Sequence, residues 1–300
     1  MTLSPPLPDP VQLAIPLFVA LVLLEMVAVR LRGVGAYEWR DAGASLALGL
    51  GSTVAGALVA APVAGVAAFA YQFRLFDIPF AWWAFLLAFV ADDLAYYWFH
   101  RTAHRVRWFW ASHVVHHSSQ HYNLTTALRQ TWTGFVSLSF LFRLPLFLLG
   151  FPPEMVVFVA GLNLVYQFFI HTEQVGRLPR LVEAVLNTPS HHRVHHATNP
   201  RYLDRNFGGV FIVWDRLFGT FEPERADDRP RYGIIRNLPT LNPLWAAVHE
   251  WVALVRDLAR ARTPGAALGL AFGPPGWKPD DRSLTADAIR AAFVREQAQA

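Results

Sequence analysis

The chain has 300 residues, 54% of them hydrophobic, 14% aromatic and 16% charged, a balance that excludes an ordinary soluble domain and points to a membrane protein. Its net charge of +4 is carried by arginine, Lys278 being the one lysine; this suits a basic face toward anionic headgroups, and no nucleic-acid-binding motif supports the alternative. With no cysteine, the sequence excludes disulfide frameworks, thiolate metal sites and iron–sulfur clusters.

Met1 to Pro10 has no basic residue ahead of the first apolar run, so the signal-peptide pattern is missing and that run is expected to stay as an anchor. Three stretches reach the roughly 20 apolar residues a spanning helix needs: about 11 to 30, 43 to 70 and 78 to 99. The second exceeds one span, and its Gly/Ala content and Pro62 allow tilt or a kink. Two further runs, about 133 to 150 and 154 to 171, flank the turn signal Gly150-Phe151-Pro152-Pro153 and predict a helical hairpin. Arg143 is a costly charge within its first arm.

Arg30, Arg32 and Arg40 follow the first span and no arginine precedes it, which places the N-terminus outside. Counting onward brings every histidine cluster to the cytoplasmic side. From about 172 the sequence turns mixed, with an amphipathic stretch from Leu244 to Arg260, a Pro/Gly-rich break from Thr263 to Pro279 and a short helix near 284 to 298. The expected fold is all-α: a polytopic membrane bundle of three N-terminal spans plus a hairpin, with a cytoplasmic helical cap carrying a histidine-rich dimetal site. Residues 1–262 are expected to form the membrane-embedded domain and 263–300 a C-terminal linker and short helix.

Eight of the twelve histidines fall into three clusters: His100/His104, His113/His116/His117 and His192/His195/His196. On a helix, residues three or four apart share a face, so each cluster is expected to aim its imidazoles at one point. Imidazole suits iron, zinc, copper and nickel, and eight nitrogens exceed the capacity of one ion, so two metals are expected. His191 points about 100° from His192 and is set aside; His121 and His249 read as surface or outer residues. His171 closes the stripe Asn163-x3-Gln167-x3-His171 and is a candidate ninth ligand.

Asp93, Tyr97, His100 and His104 form another stripe on one helix face. Metal-bound histidines commonly donate their other N–H to a carboxylate, for which Asp93 and Asp215 are the first candidates and Asp204 and Glu173 the next. The sequence has no His-Glu-x-x-His or Glu-x-x-His and no nucleotide-binding or serine-hydrolase motif. A histidine-rich metal transporter or a zinc-dependent membrane hydrolase are the rival readings. Transport would place ligands near the midplane of the spans.

His-x3-His followed by two His-x2-His-His boxes among membrane helices resembles the fatty acid hydroxylase/sterol desaturase superfamily of membrane di-iron oxygenases. The strings HVVHHSSQHYNLTTALRQ and NTPSHHRVHHATNPRYLDRNFGGVFIVWDRLFGTF are similar to its alkylglycerol monooxygenase branch, over about Asp92 to Phe221. The resemblance implies that the eight cluster histidines bind two iron ions. It also implies O2 as co-substrate, and hydroxylation or desaturation of a fatty acyl, sterol-like or ether lipid drawn from the bilayer. Electrons would come from a separate ferredoxin, cytochrome or flavoprotein reductase. Arg105 stands where the animal enzymes of that branch have an acidic residue, which weighs against tetrahydrobiopterin and against ether lipids. The expected location is the inner membrane of a bacterium or the endoplasmic reticulum of a eukaryote.

Overall fold

The structure, a computed structural model, describes residues 7–280 and 282–299; among them it is helical, with isolated bridges and no strands. Helix α1 (Pro10–Arg32) starts at Asp9, whose carboxylate accepts the Val11 and Gln12 N–H groups, and stops at Gly33 in the left-handed region. Helix α2 (Trp39–Gln72) is capped by Glu38 and contains Pro62. Helix α3 (Trp82–Arg105) runs unbroken from the apolar stretch into His100 and His104, so a rigid rod carries the first cluster.

Helices α1, α2 and α6 (Pro153–Ile170) are long and apolar enough to cross a membrane. Helix α3, expected as the third span, is not among them, because Asp92, Asp93 and its polar final turns reduce its apolar character. The first arm of the expected hairpin also differs. Residues 133–150 form turns, a 3-10 helix (Ser139–Arg143) and the short α5 (Leu144–Leu149), with Leu138 at φ 61° between them. Such a piece is too short to cross a bilayer. Arg143 explains the shape: it bends back to pair with Asp92 at 2.6 Å, neutralising a carboxylate buried in α3.

Small residues bring the bundle together. Ala67 and Ala70 of α2 and Ala84 and Ala88 of α3 pack with Met155, Val156 and Val159 of α6, leaving room for close helix approach. One charge lies inside α1: Glu25 accepts the Leu124 N–H at 2.8 Å and the hydroxyls of Thr172 and Tyr37. That carboxylate ties α1 to the residue following His171. The membrane helices thereby hold the histidine segments in place.

The remaining helices cap the bundle: α4 (Arg107–His117), α7 (Arg180–Val185), α8 (Pro189–His195), α9 (Val213–Leu217), α10 (Pro243–Ala259), α11 (Pro264–Phe272) and α12 (Ala286–Gln299). The stretch Thr263 to Pro279, expected as a break, contains α11, since Thr263 caps it and Pro264 fits the first helical turn. It is anchored to the cap through the Arg107 N–H to the Gly273 carbonyl at 2.9 Å.

Candidate metal centre

The three clusters converge with His171 into two groups. His100, His104, His113, His117 and His195 form one; His116, His171, His192 and His196 form the other, with ligand atoms in each within 4.8 Å of one another. The clusters therefore do not each aim at one point. Histidines four apart stay together, as in His100/His104, His113/His117 and His192/His196, while His116 and His195 cross to the opposite group. Four residues fall closer to a whole number of helical turns than three do, and the His116 and His117 rings stand at 89°. The exchange interlocks the groups: the His117 and His196 rings stack at 4.3 Å.

Backbone carbonyls fix the rings. The Nδ1–H of His100 donates to Phe207 O at 2.8 Å, that of His116 to Arg129 O at 3.2 Å, that of His171 to Gln167 O at 2.6 Å and that of His195 to Arg205 O at 2.9 Å. Each Nε2 is then a bare lone pair. The Nε2 atoms of His116 and His171 face each other at 3.2 Å, and His192 Nε2 is 3.1 Å from His171 Nε2. In the other group His100 and His113 approach at 3.0 Å, and His113 and His117 at 3.2 Å. The buried Nε2 atoms of His104 and His195 have no hydrogen-bond partner.

Protonation does not relieve these contacts. Burial holds His116 down to about 4 and His195 down to about 3; for His192 and His196, burial and neighbouring imidazoles keep the rings well below the ordinary value. Where both Nδ1–H groups are taken by carbonyls, as in His116 and His171, the facing Nε2 lone pairs repel at this distance unless a cation lies between them. Imidazoles around one ion at about 2.0–2.1 Å have N–N edges of roughly 3.0 Å at right angles. The donor set, its neutrality and its spacing fit two metal ions.

The acids serve differently from expectation. Asp93 accepts Val210 N–H at 2.7 Å, Phe211 N–H at 3.0 Å, Trp214 Nε1–H at 2.9 Å and Asn163 Nδ2–H at 2.9 Å, and hydrogen-bonds to no histidine among the described residues. Asp215 accepts Phe207 and Gly208 N–H groups at 2.8 and 2.7 Å. It supports the loop whose Phe207 carbonyl holds His100. Glu173 accepts the Tyr232 hydroxyl at 2.9 Å. The carbonyls already occupy the ring N–H groups that these carboxylates were expected to take. Asp204 alone of the four reaches a histidine, at 3.5 Å from His104 Nδ1, with burial raising its carboxyl to about 6.

Tyr97 turns away from the histidines, its hydroxyl 3.0 Å from Thr220 and its ring stacked on Phe218. Tyr96 takes its place, 5.1 Å from the His100 ring. Its position four residues before His100 was the available signal. Tyr122 stacks on His171 at 5.7 Å. Beneath the second cluster, Arg129 is fully buried and pairs with Asp41 at 2.5 Å, a link no local pattern discloses. His191 faces Glu183 at 3.2 Å, outside both groups.

A cavity of about 480 Å³ reaches the histidines from the cap, touching His104, His117, His195 and His196. His249, expected at the surface, lines it half-buried. So does Arg105, which pairs with Asp204 at 3.3 Å and with Asp287 of α12 at 2.5 Å.

The family model described as fatty acid hydroxylase matches residues 85–220. Alkylglycerol monooxygenase of Danio rerio is 40% identical over 278 residues, covering 91% of this chain and 60% of that protein. The Homo sapiens protein of the same name is 39% identical over 277 residues, covering 91% and 61%. Ornithine lipid hydroxylase OlsE of Rhizobium tropici is 27% identical over 136 residues, covering 45% and 41%. The chain thus spans about 60% of the length of these two alkylglycerol monooxygenases. No solved structure matches it significantly.

Proposed function

We propose that the chain, whose residues 85–220 match the fatty acid hydroxylase family model, is a membrane-bound di-iron oxygenase that hydroxylates a C–H bond of a lipid. The observation that carries the reading is the pair of buried, neutral imidazole groups whose ring nitrogens converge at 3.0–3.2 Å, His116 and His171 with both Nδ1–H groups already taken by carbonyls. His100, His104, His113, His117 and His195 would hold one iron, and His116, His171, His192 and His196 the other. Iron bound there supplies the redox chemistry with dioxygen that an unactivated C–H bond requires and that zinc lacks.

The residues of this chain set the conditions for that chemistry. Burial keeps the imidazoles neutral, so their nitrogens stay available as donors. The carbonyls of Phe207, Arg129, Gln167 and Arg205 fix tautomer and ring angle, the role more often given to carboxylates. Asp93 and Asp215 hold the 207–214 segment against α3, so the carbonyl facing His100 does not drift. The lipid would approach along α3 and α6 from the bilayer, with the histidine side cytoplasmic and electrons supplied by a separate protein.

The relatives' names support a lipid substrate, with alkylglycerols among the candidates. Arg105 points into the cap cavity toward Asp204 and Asp287. Its difference from the animal enzymes bears on the polar side of the centre, where it weighs against tetrahydrobiopterin, and leaves ether lipids in contention.

The test is metal exchange in the purified chain. Metal-free protein reloaded with ferrous iron should consume dioxygen in a lipid-dependent manner when given a reductant, and protein reloaded with zinc should not. Equal turnover with zinc, or with no metal, would sink the oxygenase reading.

A further inference from the structure

We propose that α7 and α9 form a seat on the surface of an anionic lipid bilayer, a contact that extends the membrane-embedded surface beyond the spanning helices. The two short helices lie side by side: Ile212 N–H donates to Val185 O at 3.0 Å, and the Arg216 guanidinium to Glu183 O at 3.0 Å. Their outer face is apolar and open. Leu181 is 84% exposed and Leu217 70%, with Val185 and Val213 beside them.

Charge on this face has one sign. Arg177, Arg180 and Arg216 are exposed, whereas the Glu183 carboxylate turns inward to the Leu178 N–H at 3.0 Å, the Thr188 hydroxyl at 2.9 Å and His191 at 3.2 Å. Asp215 is fully buried. Exposed leucine and valine rimmed by arginine is the pattern of an element lying in the headgroup boundary, with cations attracted by anionic lipid.

The face is also continuous with the exposed apolar surface of α3. Phe211 packs edge-on against Phe89 of α3 at 6.0 Å, and Trp214 donates to Asp93 at 2.9 Å. Next to that contact α3 presents Leu86, Leu87 and Val90 outward. The seat bears on the histidines as well, because the segment leading into α9 supplies the Arg205 and Phe207 carbonyls that hold His195 and His100.

Since the chain has no cysteine, Leu181→Cys, Leu217→Cys and, as an aqueous reference on exposed α12, Glu296→Cys can each carry one spin label in the full chain. The variants are placed in phosphatidylcholine nanodiscs with and without phosphatidylglycerol, and collision with oxygen is compared with collision with a polar nickel chelate. The labels at 181 and 217 should favour oxygen and the label at 296 the nickel chelate. Phosphatidylglycerol should deepen the first two, and Arg177→Gln with Arg180→Gln should remove that increment. Equal accessibility at all three positions overturns the seat, as does dipolar broadening that shows position 181 covered by a second copy. Insensitivity to phosphatidylglycerol overturns its preference for anionic lipid.

Discussion

His171→Ala isolates the second histidine group. In the structure His171 Nε2 lies 3.2 Å from His116 Nε2 and 3.1 Å from His192 Nε2, so it bridges the members of a four-imidazole set. Metal binding by a four-ligand site is worth roughly 10–16 kcal/mol in small structural sites, or about 3 kcal/mol per ligand if shared equally. Losing one ligand should therefore weaken that group by roughly 10²-fold, at about 1.4 kcal/mol per tenfold. The five-histidine group contains no contribution from His171 and should keep its ion. Iron measured per chain after purification should fall from two to one, while His191→Ala, which alters the neighbour paired with Glu183, should leave two. Retention of two irons by His171→Ala at wild-type affinity would refute the assignment of His171 to the centre.

Other expectations rest on single contacts. Asp93→Ala strands two backbone N–H groups and two side-chain donors in a buried site. It should cost about 3 kcal/mol or more, read as a lower melting temperature in detergent with iron content less affected than in His171→Ala. Arg143→Ala leaves Asp92 buried without its cation and should destabilise by about 2–3 kcal/mol; if adding Asp92→Asn restores none of it, the pair is not coupled. Asp41→Ala removes the partner of fully buried Arg129 and should cost about 3–5 kcal/mol, measurable as lost folded yield. Stripping iron with a chelator should lower the melting temperature of the wild-type chain, because the facing lone pairs then lack a cation; no change would mean that the histidines pack stably without metal.

The sequence exposed what depends on local periodicity. Helix α1, helix α2 and the hairpin's second arm could be read from apolar runs, and the histidines from their crowding. What escaped depended on long-range geometry. The break in residues 133–150 follows from Arg143 reaching Asp92, fifty-one positions away. The division of each triple cluster between two groups needs the true 3.6-residue turn and the positions of facing helices, which a same-face rule blurs. The choice of backbone carbonyls over Asp93, Asp215 and Glu173 as ring acceptors is equally hidden, because every residue carries a carbonyl and the sequence marks none of them.

The most direct measurement is mass spectrometry of lipids treated with the iron-loaded chain, a reductant and oxygen-18 gas, with alkylglycerols and acyl lipids offered together. A lipid product heavier by one oxygen-18 atom is expected from the wild-type chain and none from His116→Ala or His195→Ala. A product whose added oxygen comes from water, or one formed equally by those variants, would contradict it.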